Sequence, residues 1–141
     1  LSAPHTVHCL GSDVIHVGDV FFNGLYPNID LEGGGSVRDW VTTLDRVLEL
    51  DFDQVIPGHG PVSDREGLLA FQRFMKQLAE VGAAAERDRI SLADTQRNAK
   101  LDLDAGLERL YIPFVLKVDR EFVIRRAWEE SHGASTRLLE E

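Results

Sequence analysis

Val55-Ile56-Pro57-Gly58-His59-Gly60 decides how this sequence is interpreted, because it joins a β-branched pair to a histidine held between two glycines. Pro57 predicts the end of a strand, since proline cannot donate a ladder hydrogen bond. The glycines permit a positive φ or a close approach of the backbone to another group. An imidazole on such a tight loop suits a metal ligand or a general base. The alternative interpretation is a turn that contains a histidine by chance.

The residues before this stretch predict two strands, a loop and a helix. Asp13-Val14-Ile15-His16-Val17 runs into Gly18-Asp19 and then Val20-Phe21-Phe22, which predicts a strand, a sharp bend and a short second strand. A loop over 23–35 ends in three glycines. Ser36, with Asp39 three residues later, predicts the N-cap of an amphipathic helix over 37–50. The strand that leads to His59 begins at about Phe52.

The residues after this stretch predict three more helices and one extended segment. Ser63 with Glu66 forms a capping-box pattern, which predicts a long helix to about residue 88. Ser91 predicts the cap of a shorter helix, and Asp119 predicts the cap of the last one. Residues 107–118 are apolar and interrupted by proline, which predicts extended chain packed against the body. The apolar face of the long helix is predicted to hold Leu68, Phe71, Met75 and Leu78.

Asp19 and His59 are the two ligand-type side chains that follow a predicted strand and lie next to glycine. Sites in open α/β sheets form at the carboxyl ends of strands, so both side chains are expected to converge on one edge. A carboxylate with an imidazole suits a divalent metal, and zinc is the ion that best matches this pair. Taken alone, however, an aspartate after a glycine is more often a turn-forming or capping residue.

Val17-Gly18-Asp19-Val20-Phe21-Phe22, a glycine-rich loop, an amphipathic helix and the stretch around His59 together resemble the second half of the metallo-β-lactamase superfamily. The resemblance covers about residues 10–80, and the helices of residues 81–141 resemble those that follow the motif in some members. It implies an α/β chain of the α+β sandwich type, namely the second αβ half of the αββα fold.

The resemblance also implies a chemistry for the two residues. In the superfamily, the aspartate at the position of Asp19 commonly bridges two metal ions, and the histidine at the position of His59 binds the second. The metals, here zinc, generate a hydroxide that attacks an ester, thioester, lactam or phosphodiester bond in a small-molecule substrate.

Most of the superfamily's ligands are missing from this sequence. The H-x-H-x-D-H motif of the first half does not occur. A further ligand histidine, usually followed by threonine, is expected ahead of Asp19, and His5-Thr6 matches it in type but lies too close to Asp19. His5 is therefore interpreted as a strand residue that does not bind metal.

The other histidines and the cysteine have structural interpretations. His5 and His8 cannot chelate one metal on a strand, because residues i and i+3 point to opposite faces. His8 and His16 are predicted to be partly exposed strand residues, and His132 lies at the carboxyl end of a helix, where the dipole favours it. Cys9 is interpreted as a small buried hydrophobe.

An aromatic cluster, Phe21, Phe22 and Tyr26 with Leu25, follows Asp19 closely. These side chains are candidates for the wall of a substrate pocket beside the metal. The alternative is that they pack in the core beneath a loop, as large aromatic side chains commonly do.

Composition excludes several classes of protein. The chain has 141 residues, of which 43% are hydrophobic and 28% charged, so disorder is not expected. A net charge of −9 argues against binding nucleic acid or an anionic membrane, and no apolar run reaches the length of a membrane span. Cys9 is the single cysteine, which excludes an internal disulfide framework and favours the cytoplasm.

We therefore expect one domain over 1–141, and Leu1 in place of an initiator methionine indicates a piece of a longer protein. A lone half would expose an apolar sheet face. That face predicts either a homodimer or a complex with a chain that supplies the first half. Two functions stay open: part of a zinc-dependent hydrolase that is inactive without ligands from another chain, or a non-catalytic scaffold, oligomerisation or binding module derived from that fold.

Overall fold

A computed structural model describes residues 7–8 and 13–133 of the chain. It has an α+β fold, which confirms the predicted class. The helices are α1 (Val37–Leu48), α2 (Arg65–Arg87), α3 (Leu92–Asn98) and α4 (Arg120–Ser131). The strands are β1 (Val7–His8), β2 (Val14–Phe22), β3 (Gln54–His59), β4 (Ser63–Asp64), β5 (Leu110–Ile112) and β6 (Leu116–Val118).

Strands β1 to β4 form one sheet in the order β1-β2-β3-β4. The central pair, β2 and β3, is parallel, and β1 and β4 add antiparallel edges. Ile15 is paired with Val55, and both are fully buried against the helices. His16, the next residue of β2, is paired with Val7 of β1 and Ile56 of β3. Because side chains alternate along a strand, these three share the opposite face of the sheet. That opposite face is called the outer face below.

Val14–Phe22 form one strand with an irregularity, and the prediction of two strands with a sharp bend was wrong. The β2–β3 register shifts between His16 and Gly18 and again between Gly18 and Phe22. Gly18 has a φ of +59°, a conformation open to glycine at little cost. The Gly18-Asp19 pattern therefore forms a β-bulge and not a chain-reversing turn, and the strand continues to Phe22.

Pro57 does not end β3, contrary to the prediction, and the strand runs on to His59. Strand β4 is paired with β3 only at Gln54 and Val55. The ladder on that side of β3 has therefore ended before Pro57, so its missing N–H interrupts no pairing there.

The caps of α1, α3 and α4 are the predicted residues, but the cap of α2 is not. Ser36, Ser91 and Asp119 each accept a hydrogen bond from the backbone three residues later. Helix α2 is capped by Asp64, which accepts from the N–H of Gly67 at 2.9 Å, whereas Ser63 is paired with Val55 in the sheet.

The core lies between the inner face of the sheet and helices α1 and α2. The predicted inner face of α2 is confirmed, since Leu68, Met75 and Leu78 are fully buried and Phe71 is nearly so. Phe71 contacts Phe21 of β2 with ring centroids 5.4 Å apart. The indole N–H of Trp40 donates to the carbonyl of Val20 at 2.7 Å, which fixes α1 to the strand.

Residues 107–118 pack against the body as predicted only in part: Val118 is fully buried, and Leu107, Leu110 and Leu116 are partly buried against the core. They contain a hairpin of β5 and β6, whose turn exposes Phe114 and Val115. The base of the hairpin is joined to the body where Tyr26 and Glu108 form a backbone hydrogen bond of 3.0 Å.

The remaining histidines lie as predicted where the structure describes them. His16 is exposed on β2, and His132 is the C-cap of α4. His5, Cys9 and the side chain of His8 lie outside the described residues. No helix in residues 7–8 and 13–133 is both long and apolar enough to cross a membrane.

Candidate metal centre

Asp19 is presented to solvent by the bulge in β2. Gly18 turns the backbone in its left-handed conformation and donates its N–H to Nδ1 of His16 at 3.1 Å. The Asp19 side chain that follows is 82% exposed. The carboxylate therefore stands at the open edge of the sheet, where it is available to a ligand.

His59 is the last residue of the neighbouring parallel strand, and its ring is held by an aromatic neighbour. The imidazole stacks on Phe22, with centroids 4.6 Å apart and the planes inclined by 13°. Phe22 is itself buried, so one face of the imidazole is covered by a fixed surface. The side chain remains 41% exposed, which leaves its ring nitrogens accessible.

The two predicted ligands lie side by side, although Asp19 stands at the bulge inside β2 and only His59 ends its strand. Nε2 of His59 lies 3.4 Å from Oδ1 of Asp19. A surface ion pair of a protonated histidine with aspartate would also give this distance, but such a pair contributes little to stability.

Glycines on either side of His59 make this approach possible. A Cβ on Gly58 would stand 2.5 Å from Oδ1 of Asp19 and 2.6 Å from the carbonyl carbon of Gly18. A Cβ on Gly60 would collide with the carbonyl oxygen of Asn23, and Gly60 has a φ of +92°. The motif therefore needs glycine at both positions for close packing of the two strand ends.

Asn23 fixes the loop after His59, a role that sequence reasoning missed. Its N–H donates to the carbonyl of His59 at 2.9 Å, and its side-chain amide donates to the carbonyl of Pro61 at 2.8 Å. In the sequence, Asn23-Gly24 carries only a turn signal, and nothing there indicates a partner far along the chain.

The donor set fits zinc in kind and in spacing but supplies only two ligands. Tetrahedral zinc with bonds of about 2.0–2.2 Å has ligand atoms about 3.3–3.5 Å apart, and the Asp19–His59 separation falls in that range. Among the described residues, no group of three or more histidine, cysteine, aspartate or glutamate side chains is placed to hold a metal. Structural zinc needs four ligands, and catalytic zinc keeps three from protein.

The three aromatic residues proposed for a substrate pocket are all buried. Phe22 lies under His59, whereas Phe21 packs on Phe71 in the core. Tyr26 contacts Phe74 and donates its hydroxyl to Oδ2 of Asp104 at 2.6 Å. Burial, followed by this hydrogen bond and the nearby Asp104 charge, raises the pKa of Tyr26. The placement of Phe21 and Tyr26 matches the core-packing alternative, and Phe22 is the member that reaches the Asp19–His59 pair.

No protein-family model matches the chain, and a comparison with curated proteins found no match. The relationship to metallo-β-lactamases thus stays a prediction from the motifs.

Proposed function

We propose that Asp19 and His59 are half of a zinc site in a hydrolase of the metallo-β-lactamase type, and that another chain supplies the remaining ligands. The observation that carries this proposal is the 3.4 Å separation of Oδ1 of Asp19, at the bulge of β2, and Nε2 of His59, at the end of the parallel strand β3. Gly58 supports this approach, since a Cβ there would stand 2.5 Å from Oδ1 of Asp19.

The chain's own residues would hold the metal and keep the site open. Asp19 supplies an exposed carboxylate, and His59 supplies an imidazole whose plane is fixed by Phe22. A bound zinc ion would polarise water for attack on an ester, thioester, lactam or phosphodiester bond. The exposure of both ligands leaves room for the completing ligands and for a small-molecule substrate.

The outer face of the sheet is the surface on which we place the completing chain. Val7 is 58% exposed there, and Val14 and Ile56 are partly exposed. Apolar side chains on a sheet face gain free energy when a second layer covers them. A second copy of this chain or a chain carrying the first half would each bring new side chains to the edge that holds Asp19 and His59.

A non-catalytic module is the second candidate, and the ligand count favours it. The described residues offer two ligands to a zinc ion, one fewer than catalytic sites take from protein. In that case the motif would survive as loop structure, with Gly58 and Gly60 kept for packing alone.

Imidazole NMR during a zinc titration tests the assignment of the ligands. In the wild-type chain we expect the NMR resonances of the His59 ring nitrogens to shift as zinc is added, since the metal displaces solvent at Nε2. Asp19→Asn should weaken this response, because it removes the anionic ligand but keeps the shape. His132→Ala is the matched control, as His132 lies at the C-cap of α4, away from the bulge that presents Asp19, and its loss should leave the His59 response unchanged.

An equal zinc response in wild type and Asp19→Asn would overturn the shared site. If the response is as expected, sedimentation of the same samples identifies the completing chain. A zinc-dependent dimer identifies a second copy, whereas a zinc-loaded monomer points to a chain carrying the first half.

A further inference from the structure

We propose that the tip of the β5–β6 hairpin docks into the cleft between α2 and α3 of a second copy of this chain. The hairpin tip is defined as Tyr111, Ile112, Phe114 and Val115, and the cleft is defined by its lining residues below. This proposal is independent of the zinc site, because it uses neither Asp19 nor His59.

The hairpin tip is an apolar surface that the chain itself leaves uncovered. Phe114 is 107% exposed and Val115 is 77% exposed, and Tyr111 and Ile112 are also exposed. Consecutive exposed apolar residues of this size are uncommon unless they bind something. Aromatic side chains presented in this way are typical anchors of protein interfaces.

The turn holds Phe114 outward in a conformation that disfavours its residue type. The N–H of Val115 donates to the carbonyl of Ile112 at 3.0 Å, which closes a turn with Pro113 and Phe114 at its centre. Phe114 has a φ of +61°, so this is a type II turn with phenylalanine where glycine is preferred. Backbone strain of this kind is found mainly at functional sites. The side chain of Phe114 is fully exposed, so burial within the molecule does not offset the strain.

Two cationic side chains flank the hairpin tip. The guanidinium of Arg109 lies 5.5 Å from the centroid of the Tyr111 ring. Lys117 is paired directly across the hairpin from Tyr111 and also forms an ion pair with Asp119 at 3.4 Å. The partner of this surface should therefore be an apolar depression with carboxylates at its rim.

The α2–α3 cleft of the same fold has that character. Its volume is about 640 Å³, within the range of clefts that enclose drug-sized ligands. Its apolar lining comes from Val81, Ala84, Ala85, Ile90 and Ala99. Its charged lining has three carboxylates (Glu80, Asp88 and Asp94) and two cations (Arg87 and Lys100). Arg87 is already bound by Glu80 at 3.8 Å and Asp88 at 3.6 Å, so the carboxylates outnumber the cations and one cation is shared between two of them.

Each copy carries both surfaces, so the association would be head to tail. A contact of this kind forms a ring if the rotation closes and an open chain of copies if it does not. The few side chains involved predict a weak interface that assembles at high protein concentration.

Sedimentation velocity over a concentration series up to about 1 mM tests the proposal. Phe114→Gly removes the anchor and relieves the turn, and Ala84→Arg fills the cleft with a cation. Each change should weaken self-association at least about tenfold. Ala83→Arg is the matched control for the cleft, because Ala83 is the neighbouring residue on α2 and faces a different groove. Val62→Ser is the control for the tip, as it removes another exposed apolar side chain.

Mixing the two impaired variants gives the decisive result. Phe114→Gly keeps an intact cleft and Ala84→Arg keeps an intact tip, so the mixture should form a one-to-one complex that neither variant forms alone. A wild-type chain that stays monomeric throughout the series would overturn the proposal. Loss of association in Phe114→Gly with no loss in Ala84→Arg would overturn it too, since the tip would then bind elsewhere.

Discussion

Gly60 shows how a single backbone position supports the candidate site. Its φ of +92° disfavours any L side chain, and the carbonyl oxygen of Asn23 occupies the space of a Cβ. We expect Gly60→Ala to lower the free energy of unfolding by more than about 2 kcal/mol, because the conformational cost and the collision add. Denaturant unfolding measures this change.

Gly106 provides the matched control for Gly60. It has a similar φ of +83°, but nothing lies within 4 Å of its Cβ position. Gly106→Ala should therefore cost only the conformational part, about 1 kcal/mol. If Gly60→Ala and Gly106→Ala lower the free energy of unfolding equally, the loop after His59 can move away from Asn23 without strain, and the collision adds nothing.

Tyr26 joins the hairpin side of the molecule to the core through a buried hydrogen bond. Its hydroxyl donates to Asp104, which Arg120 also approaches at 3.5 Å. Tyr26→Phe should destabilise the fold by about 1–2 kcal/mol at neutral pH, since a carboxylate loses one of its donors.

The pH dependence of that loss follows from the raised pKa of Tyr26. In the unfolded chain the phenol ionises near pH 10, whereas in the folded chain it stays protonated to higher pH. The stability that Tyr26 contributes is thus present below about pH 10 and is lost as the pH rises above it. The stability difference between wild type and Tyr26→Phe should begin to shrink as the pH rises above about 10, and a constant difference would contradict the assignment.

The residues of the candidate site were predictable in part. Asp19 and His59 carry a strong signal only as a pair, because Gly18-Asp19 and Pro57-Gly58-His59-Gly60 occur together at the spacing seen in the superfamily that they resemble. Their neighbours were harder to assign. Phe22 was predicted only as one of three aromatic residues, and its stacking on His59 depends on a register set by the bulge at Gly18.

At the scale of elements, the β5–β6 hairpin gives the clearest stability prediction. Phe114 has a positive φ and no burial to lose, so Phe114→Gly should raise the free energy of unfolding by about 0.5–1 kcal/mol. Thermal unfolding measures the change. A destabilised Phe114→Gly chain would show that the phenylalanine makes a stabilising contact within the molecule.

Element types were predicted well, and element boundaries depended on pairing that sequence does not display. The periodicity of 37–50 and the apolar face of α2 identified both helices, since helical spacing of large apolar residues is a local signal. The end of β3 and the cap of α2 were misplaced for one reason. Strand β4 is two residues long and pairs only with Gln54 and Val55. Because β4 does not reach Pro57, proline can continue β3, and because Ser63 belongs to β4, it does not cap α2.

At the scale of the whole molecule, the sheet has one face covered by α1 and α2 and an outer face with exposed apolar side chains. The α+β class was implied by the resemblance of the motifs to a known fold. The exposed turn of the β5–β6 hairpin was not predicted, because an apolar run interrupted by proline is typical both of buried extended chain and of a hairpin with an exposed turn. Val7 on the outer face and Phe114 on the hairpin are both exposed apolar residues, and each belongs to a surface that we propose contacts another chain.

The central claim is that Asp19 and His59 bind zinc together as half of a site. Elemental analysis of the purified protein, with His59→Ala prepared in parallel, measures zinc per chain directly. We predict that the wild-type chain retains zinc in a fixed ratio, no less than one ion for each pair of chains, and that His59→Ala loses it. Background zinc in both proteins, or the same zinc content in both, would contradict the claim and leave the motif as loop structure alone.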